Sequence, residues 1–161
     1  TAINTDGICA LNALKEVISV SHKKILILGA GGAATAIIDE AIRRHAHVYI
    51  ANRTREKSQT LAASYPINII PLDQSTSIDF DVIISTIPES AFNTPQVTSW
   101  LEKLLINKSV LMNINYNNKK DILSTIGKDY GYQYISGDAM YAYQAKAQLA
   151  YWGLLPNNYQ E

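Results

Sequence analysis

The chain has 161 residues, 14 Lys+Arg against 14 Asp+Glu, and is 47% hydrophobic. That supplies enough apolar material for a core and excludes wholesale disorder; the balanced charge argues against a nucleic-acid surface, and no apolar run approaches the roughly 20 residues of a membrane span. The single cysteine, Cys9, excludes an intramolecular disulfide and fits a reducing, cytoplasmic setting.

No signal peptide is visible, and the chain opens on Thr1 rather than Met, so a longer protein is the expectation. In chain order, NTDG (4–7) suits a turn. Ile8, Leu11, Leu14, Val17 and Ile18 follow at helical spacing, so Asp6 could equally cap a helix. Cys9 falls among these apolar residues and reads as inert core. KILIL (24–28) predicts a buried strand, GAATAIIDEAIRR (32–44) a helix, HVYIA (47–51) a strand and REKSQTLAAS (55–64) a helix. INII (67–70) and DVIIST (81–86) predict strands, TSWLEKLL (98–105) a helix and SVLMNI (109–114) a strand. KDILSTIG (120–127) predicts a helix stopped by Gly127, and YQYIS (132–136) a last strand. DAMYAYQAKAQLAYWG (138–153) predicts a long helix with Asp138 as its N-cap and Gly153 at its end, and the PNNYQE tail reads as loose. Apolar strands alternating with helices predict an α/β fold: a Rossmann-like, doubly wound, mostly parallel sheet with helices on both faces.

Three stretches carry chemistry. ILILGAGGAATA fits G-x-G-x-x-A through Gly29, Gly31 and Ala34, directly after a strand and opening a helix. Gly29 permits the tight turn, Gly31 lets the backbone approach a pyrophosphate, and small residues at Gly32 and Ala33 let the helix sit close to the sheet. The helix N-terminus offers N–H groups to phosphates. ANRTREK (51–57) closes the second strand with Asn52 and Arg53 where NAD-binding versions place a carboxylate. With Thr54 and with Lys57 one helical turn further on, this set prefers a 2′-phosphate, hence NADP; a solvated basic face is the other reading. In the last helix Met140 and Gln144 share a face, with Tyr151 near the same stripe. That amide either faces a site or simply reaches solvent. His22, His45 and His47 have no carboxylate or cysteine nearby in sequence, so no metal site is expected.

Together, NTDG at 4–7, LILGAGGAA at 26–34, ANRT at 51–54 and G-x-x-M-x-x-x-Q-A at 137–145 resemble the shikimate dehydrogenase family in order and spacing along nearly the whole chain. The resemblance implies NADPH-dependent reduction of 3-dehydroshikimate to shikimate, on the route to aromatic amino acids. It also implies two domains flanking a cleft. Residues 1–161 would be the NADP-binding domain, and the N-terminal substrate domain, with its catalytic lysine, would lie outside this chain. By that resemblance Asp6 is the catalytic aspartate, also touching substrate, and Gly29, Ala30, Gly31, Gly32 and Ala33 form the pyrophosphate loop. Asn52, Arg53, Thr54 and Lys57 clamp the adenosine phosphate. Ile114 and Gly137 lie beside the nicotinamide, and Tyr116 and Gln144 contact substrate. Two departures stand out: Asn113 replaces the aspartate of the family's Y-D-M-x-Y segment, and IISTIPES replaces the commoner N-A-T-P-x-G. Two alternatives stay open, an NAD-dependent quinate/shikimate dehydrogenase and a non-catalytic nucleotide-binding module.

Overall fold

The computed structural model describes residues 5–72, 77–93, 95–104, 109–116 and 121–154. Along them run α1 (Asp6–Lys15), β1 (Lys24–Leu28), α2 (Gly32–Arg43), β2 (His47–Ala51), α3 (Arg55–Ser64), β3 (Asn68–Ile69) and β4 (Val82–Ser85). A 3-10 turn (Glu89–Asn93), α4 (Pro95–Leu104), β5 (Val110–Asn113), α5 (Ile122–Tyr130), β6 (Tyr134–Ile135) and α6 (Gly137–Tyr151) complete the order. Asn4 and the PNNYQE tail lie outside the described residues.

The strands are apolar on both faces because both faces are covered. In β1, Ile25 and Ile27 point into one core with α1, α2 and α6, while Leu26 and Leu28 point into a second core with α4 and α5. Leu11, Leu14, Ile37 and Ile38 fill the first; Trp100, Leu101, Leu123 and Ile126 fill the second. All strand pairs are parallel, in the order β3-β2-β1-β4-β5-β6. The order reverses between β1 and β4, so the loops leaving their carboxyl ends diverge and open a crevice there. Lys23 Nζ binds Asp81 Oδ1 at 3.0 Å at the other end of the sheet. The hydrogen bonds and the lysine charges hold the Asp81 carboxyl below its ordinary range, against the opposing effect of partial burial.

Several element ends differ from the sequence expectation. Gly127 lies inside α5, buried where Tyr134 crosses, and the helix stops at Gly131, which takes the left-handed conformation (φ 68°). The N-cap position of α6 is Ser136, and Asp138 sits exposed in its first turn, where a negative charge suits the helix dipole. α1 ends before Val17, which is exposed. The 3-10 turn carries no apolar period from which to predict it.

α1 and α2 pack backbone to backbone at Gly7. A Cβ on Gly7 would collide with the backbone carbonyl of Ala36. Gly7→Ala should therefore push the helices apart and cost about 1–3 kcal/mol, the usual cost of overpacking. Thermal melting by circular dichroism should show a drop of several degrees. An unchanged midpoint would mean that this crossing does not fix the position of α1.

Candidate active site

The first cavity is built by the turn after β1. Gly29 takes φ 114°, a conformation that side chains rarely adopt, and the hydroxyl of Thr86 occupies the place a Cβ would need. The Gly29 N–H donates to the Ala51 carbonyl at 2.9 Å, and Thr86 Oγ1 donates to the Leu28 carbonyl at 2.8 Å. The turn is thus tied to the ends of β2 and β4. Gly31 stands at the N-cap position of α2 with extended backbone and no side-chain cap, which leaves the first helical N–H groups for another acceptor. A Cβ on Gly31 or Gly32 would meet nothing within 4 Å. For Gly31 this is the open approach expected. For Gly32 it corrects the expectation of close packing against the sheet: Gly32 is exposed and Ala33 half-buried, and the small residue that packs inward is Ala34, fully buried.

A cavity of about 430 Å³ extends from this turn across the end of β2. Gly29, Ala30, Gly31, Asn52, Arg53, Thr54 and Lys57 all line it, together with Val97 and Trp100 from α4. Asn52 Nδ2 donates to the Thr54 carbonyl at 2.8 Å, so its side chain shapes the loop. Arg53 and Lys57 are exposed, and among the described residues neither forms an ion pair. Two unpaired cations beside the N-terminus of α3 favour a bound anion, because the helix end itself carries partial positive charge.

A second cavity, of about 390 Å³, is lined by Asp6, Pro88, Glu89, Ile114, Asn115, Tyr116, Met140 and Gln144. Pro88 also lines the first, so the two cavities meet at the β4 loop. Asp6 opens α1; the N-cap position belongs to Thr5. Asp6 Oδ1 accepts a hydrogen bond from Gln144 Nε2 at 2.7 Å, across 138 residues of sequence. A second bond, Tyr143 Oη to Glu16 Oε1 at 2.7 Å, ties α6 to the C-terminal end of α1. Tyr116 is 63% exposed and stacks on Tyr141 at 5.5 Å between centroids. Gly137 lines neither cavity; a Cβ there would lie 2.5 Å from the Asn115 carbonyl oxygen, so its smallness lets α6 start against the end of β5. Tyr151, expected near the Gln144 stripe, is 60% exposed at the far end of α6 and lines neither cavity.

Burial, reinforced by the Asp6 charge, pushes the Cys9 thiol up to about 11, so it stays protonated and inert in the core. Burial also raises the Glu89 carboxyl, opposed by its bond from the Ile122 N–H and helped by the Asp121 charge. Glu89, Asn115 and Thr86 carry no signal of their own in the sequence. Asn115 could be suspected only from its place between Ile114 and Tyr116. Among the described residues no group of three or more His, Cys, Asp or Glu could hold a metal ion, and no helix is long and apolar enough to cross a membrane.

A doubly wound parallel sheet in this order, with a glycine turn and an uncapped helix at its switch point, defines an α/β domain of the Rossmann-like class. Comparison with known proteins narrows the class. The shikimate / quinate 5-dehydrogenase family matches residues 11–115. The NADP(+) shikimate dehydrogenase of Legionella pneumophila (strain Lens) is 34% identical over 154 residues, 94% of this chain and 57% of that protein. Among solved structures, a shikimate dehydrogenase in complex with NADP+ superposes with a TM-score of 0.70 at 33% identity, over 85% of this chain and 51% of that one. That of Aquifex aeolicus superposes with a TM-score of 0.71 at 28% identity, over 98% and 59%. The chain belongs to the shikimate / quinate 5-dehydrogenase family. It spans a little over half the length of the curated relatives it matches.

Proposed function

We propose that this chain is the cofactor-binding part of an NADP-dependent shikimate dehydrogenase that interconverts 3-dehydroshikimate and shikimate in the cytoplasm. The observation that carries the reading is the meeting of two cavities at Pro88, one with a glycine turn and unpaired cations, the other with a carboxylate held by a glutamine. The residues fit the cofactor. Gly29 to Ala33 and the uncapped start of α2 would receive the pyrophosphate, and Arg53, with Asn52, Thr54 and Lys57, the 2′-phosphate. Ile114 would line the nicotinamide end, with Gly137 setting the backbone beside it. When bound, NADPH supplies the hydride that reduces the substrate carbonyl.

The remaining chemistry falls to the protein. Tyr116 and Gln144 would contact the substrate, while Gln144 also fixes Asp6 in place. Asp6 would hold and tune a lysine contributed by a substrate domain outside this chain, and that lysine would exchange a proton with the reacting oxygen. Arg53 at the end of β2 disfavours the NAD-dependent quinate alternative. The Asp6–Gln144 bond disfavours a non-catalytic module, which would need neither residue.

Isolated residues 1–161 should bind NADP+ but reduce 3-dehydroshikimate no faster than buffer, because the substrate is neither oriented nor protonated. A longer protein carrying the lysine domain should turn over in the same spectrophotometric assay. Turnover by the isolated chain, or none by the longer one, would count against the reading.

A further inference from the structure

The loops that join the two cavities are held together by a chain of amides. Asn113, fully buried at the end of β5, accepts through Oδ1 from the Asn115 backbone N–H at 3.1 Å and from Asn115 Nδ2 at 2.9 Å. Asn115 Nδ2 also donates to the Ile87 carbonyl at 2.7 Å. Ile87 lines the first cavity and Asn115 the second, so this bracket crosses the point where they meet. On its other side Asn113 Nδ2 donates to Asp121 Oδ2 at 3.1 Å. Asp121 is already engaged: its Oδ1 caps α5 by accepting from the Ser124 N–H at 3.1 Å, and Oδ2 accepts from the Tyr134 hydroxyl. Glu89 approaches from the 3-10 turn, with Oε1 on the Ile122 N–H at 2.9 Å.

An acceptor-only group at position 113 cannot satisfy this arrangement. Asp121 and Glu89 already place two carboxyl groups here, the phenol of Tyr134 spends its one proton on Asp121, and Asp138 adds a more distant negative charge. An aspartate at 113 would face the Asp121 carboxylate at hydrogen-bond distance with no proton between them. We infer that Asn113 is a positioning residue whose amide, required by the neighbouring Asp121, holds the Ile87–Pro88 wall to the end of β5 and so sets the junction of the two cavities. The asparagine that departs from the family segment is then half of a coupled pair with Asp121. The consequence for cofactor binding rests on the proposed reading of the first cavity; the bracket itself does not.

The test is a cycle of Asn113→Asp, Asp121→Asn and the double substitution. It reads Asn115 backbone amide exchange by NMR, melting temperature and NADP+ affinity. At pH 8 Asn113→Asp should speed Asn115 exchange at least tenfold, lower the midpoint by roughly 5 °C and weaken NADP+ binding about tenfold. Two carboxylates sharing one site raise one pKa in the fold. The folded state then binds more protons than the unfolded one, so stability is lost as pH rises through that raised value and returns as pH falls toward about 6. The double substitution restores an amide–carboxylate pair in reverse, and the amide it places at position 121 still caps α5 effectively. It should recover most of each readout at both pH values, short of the bond from Tyr134, whose hydroxyl loses the oxygen that accepts it. Wild-type behaviour of Asn113→Asp at pH 8, or a double variant no better than the single, overturns the coupling. Faster Asn115 exchange with unchanged NADP+ affinity reduces Asn113 to a structural residue and overturns the positioning. If the unaltered protein binds no NADP+, the cofactor reading fails, while exchange and melting still decide the bracket.

Discussion

Asp6→Asn, made in the protein that carries the lysine domain, should lower turnover by on the order of 100-fold or more, the usual scale for an acid–base group. The structure sharpens why this substitution is informative. The bond from Gln144 Nε2 reaches Asp6 Oδ1, and an asparagine oxygen can accept it equally well, so shape and the α1–α6 link survive while the charge is lost. Stability should hardly change. Asp6 stands at the first position of α1 and not at its N-cap, and a negative charge there contributes about 0.3–1 kcal/mol through the helix dipole. NADPH affinity should also hold, because Asp6 does not line the first cavity. Steady-state kinetics beside melting and cofactor titration make the measurement. Near-normal turnover would return Asp6 to the role of a helix-start residue. A parallel collapse of folding or cofactor binding would show that the loss was not specific to proton transfer.

Arg53→Ala should remove most of the preference for NADP(H) over NAD(H). One or two charged hydrogen bonds to the 2′-phosphate, each on the order of 1.5–3 kcal/mol, correspond to roughly a 10- to 1000-fold preference. Arg53 lines the first cavity, is exposed, and has no ion-pair partner among the described residues. Its guanidinium therefore need not be released from the protein before it meets the phosphate. The loss should fall on NADP alone, since NAD lacks the group being read. Calorimetric titration of both cofactors against parent and variant decides it. Equal affinities in the parent, or a preference untouched by the substitution, would remove Arg53 from the clamp. Lys57 lines the same cavity from the first turn of α3 and should give a smaller loss, because an ammonium binds phosphate as a point charge without the bidentate fork.

Part of the site can be read from the chain directly. The glycine turn, Asn52 and Arg53 follow their strands at once, so sequence neighbours become spatial neighbours without help from the rest of the fold. β1 and β2, with α2 and α3 between and after them, follow the predicted pattern closely. The misses have physical causes. Gly127 reads as a helix stop, yet it serves packing against Tyr134. Gly32 reads as a packing glycine, yet it faces open space.

What the sequence determined by itself was local: strand and helix identity from apolar period, the turn from its glycines, and the placing of two cations where a carboxylate might have stood. These depend on residues within about one turn of each other. Motif alone marks Asp6 and Gln144, but only the packing of α1 against α6 brings a carboxylate and an amide 138 residues apart to 2.7 Å. Asn113, Asp121, Tyr134 and Glu89 likewise gather from β5, the start of α5, β6 and the 3-10 turn. A buried polar group takes whatever partner the sheet order sets beside it, and that order arises from long-range strand pairing, which no local pattern encodes.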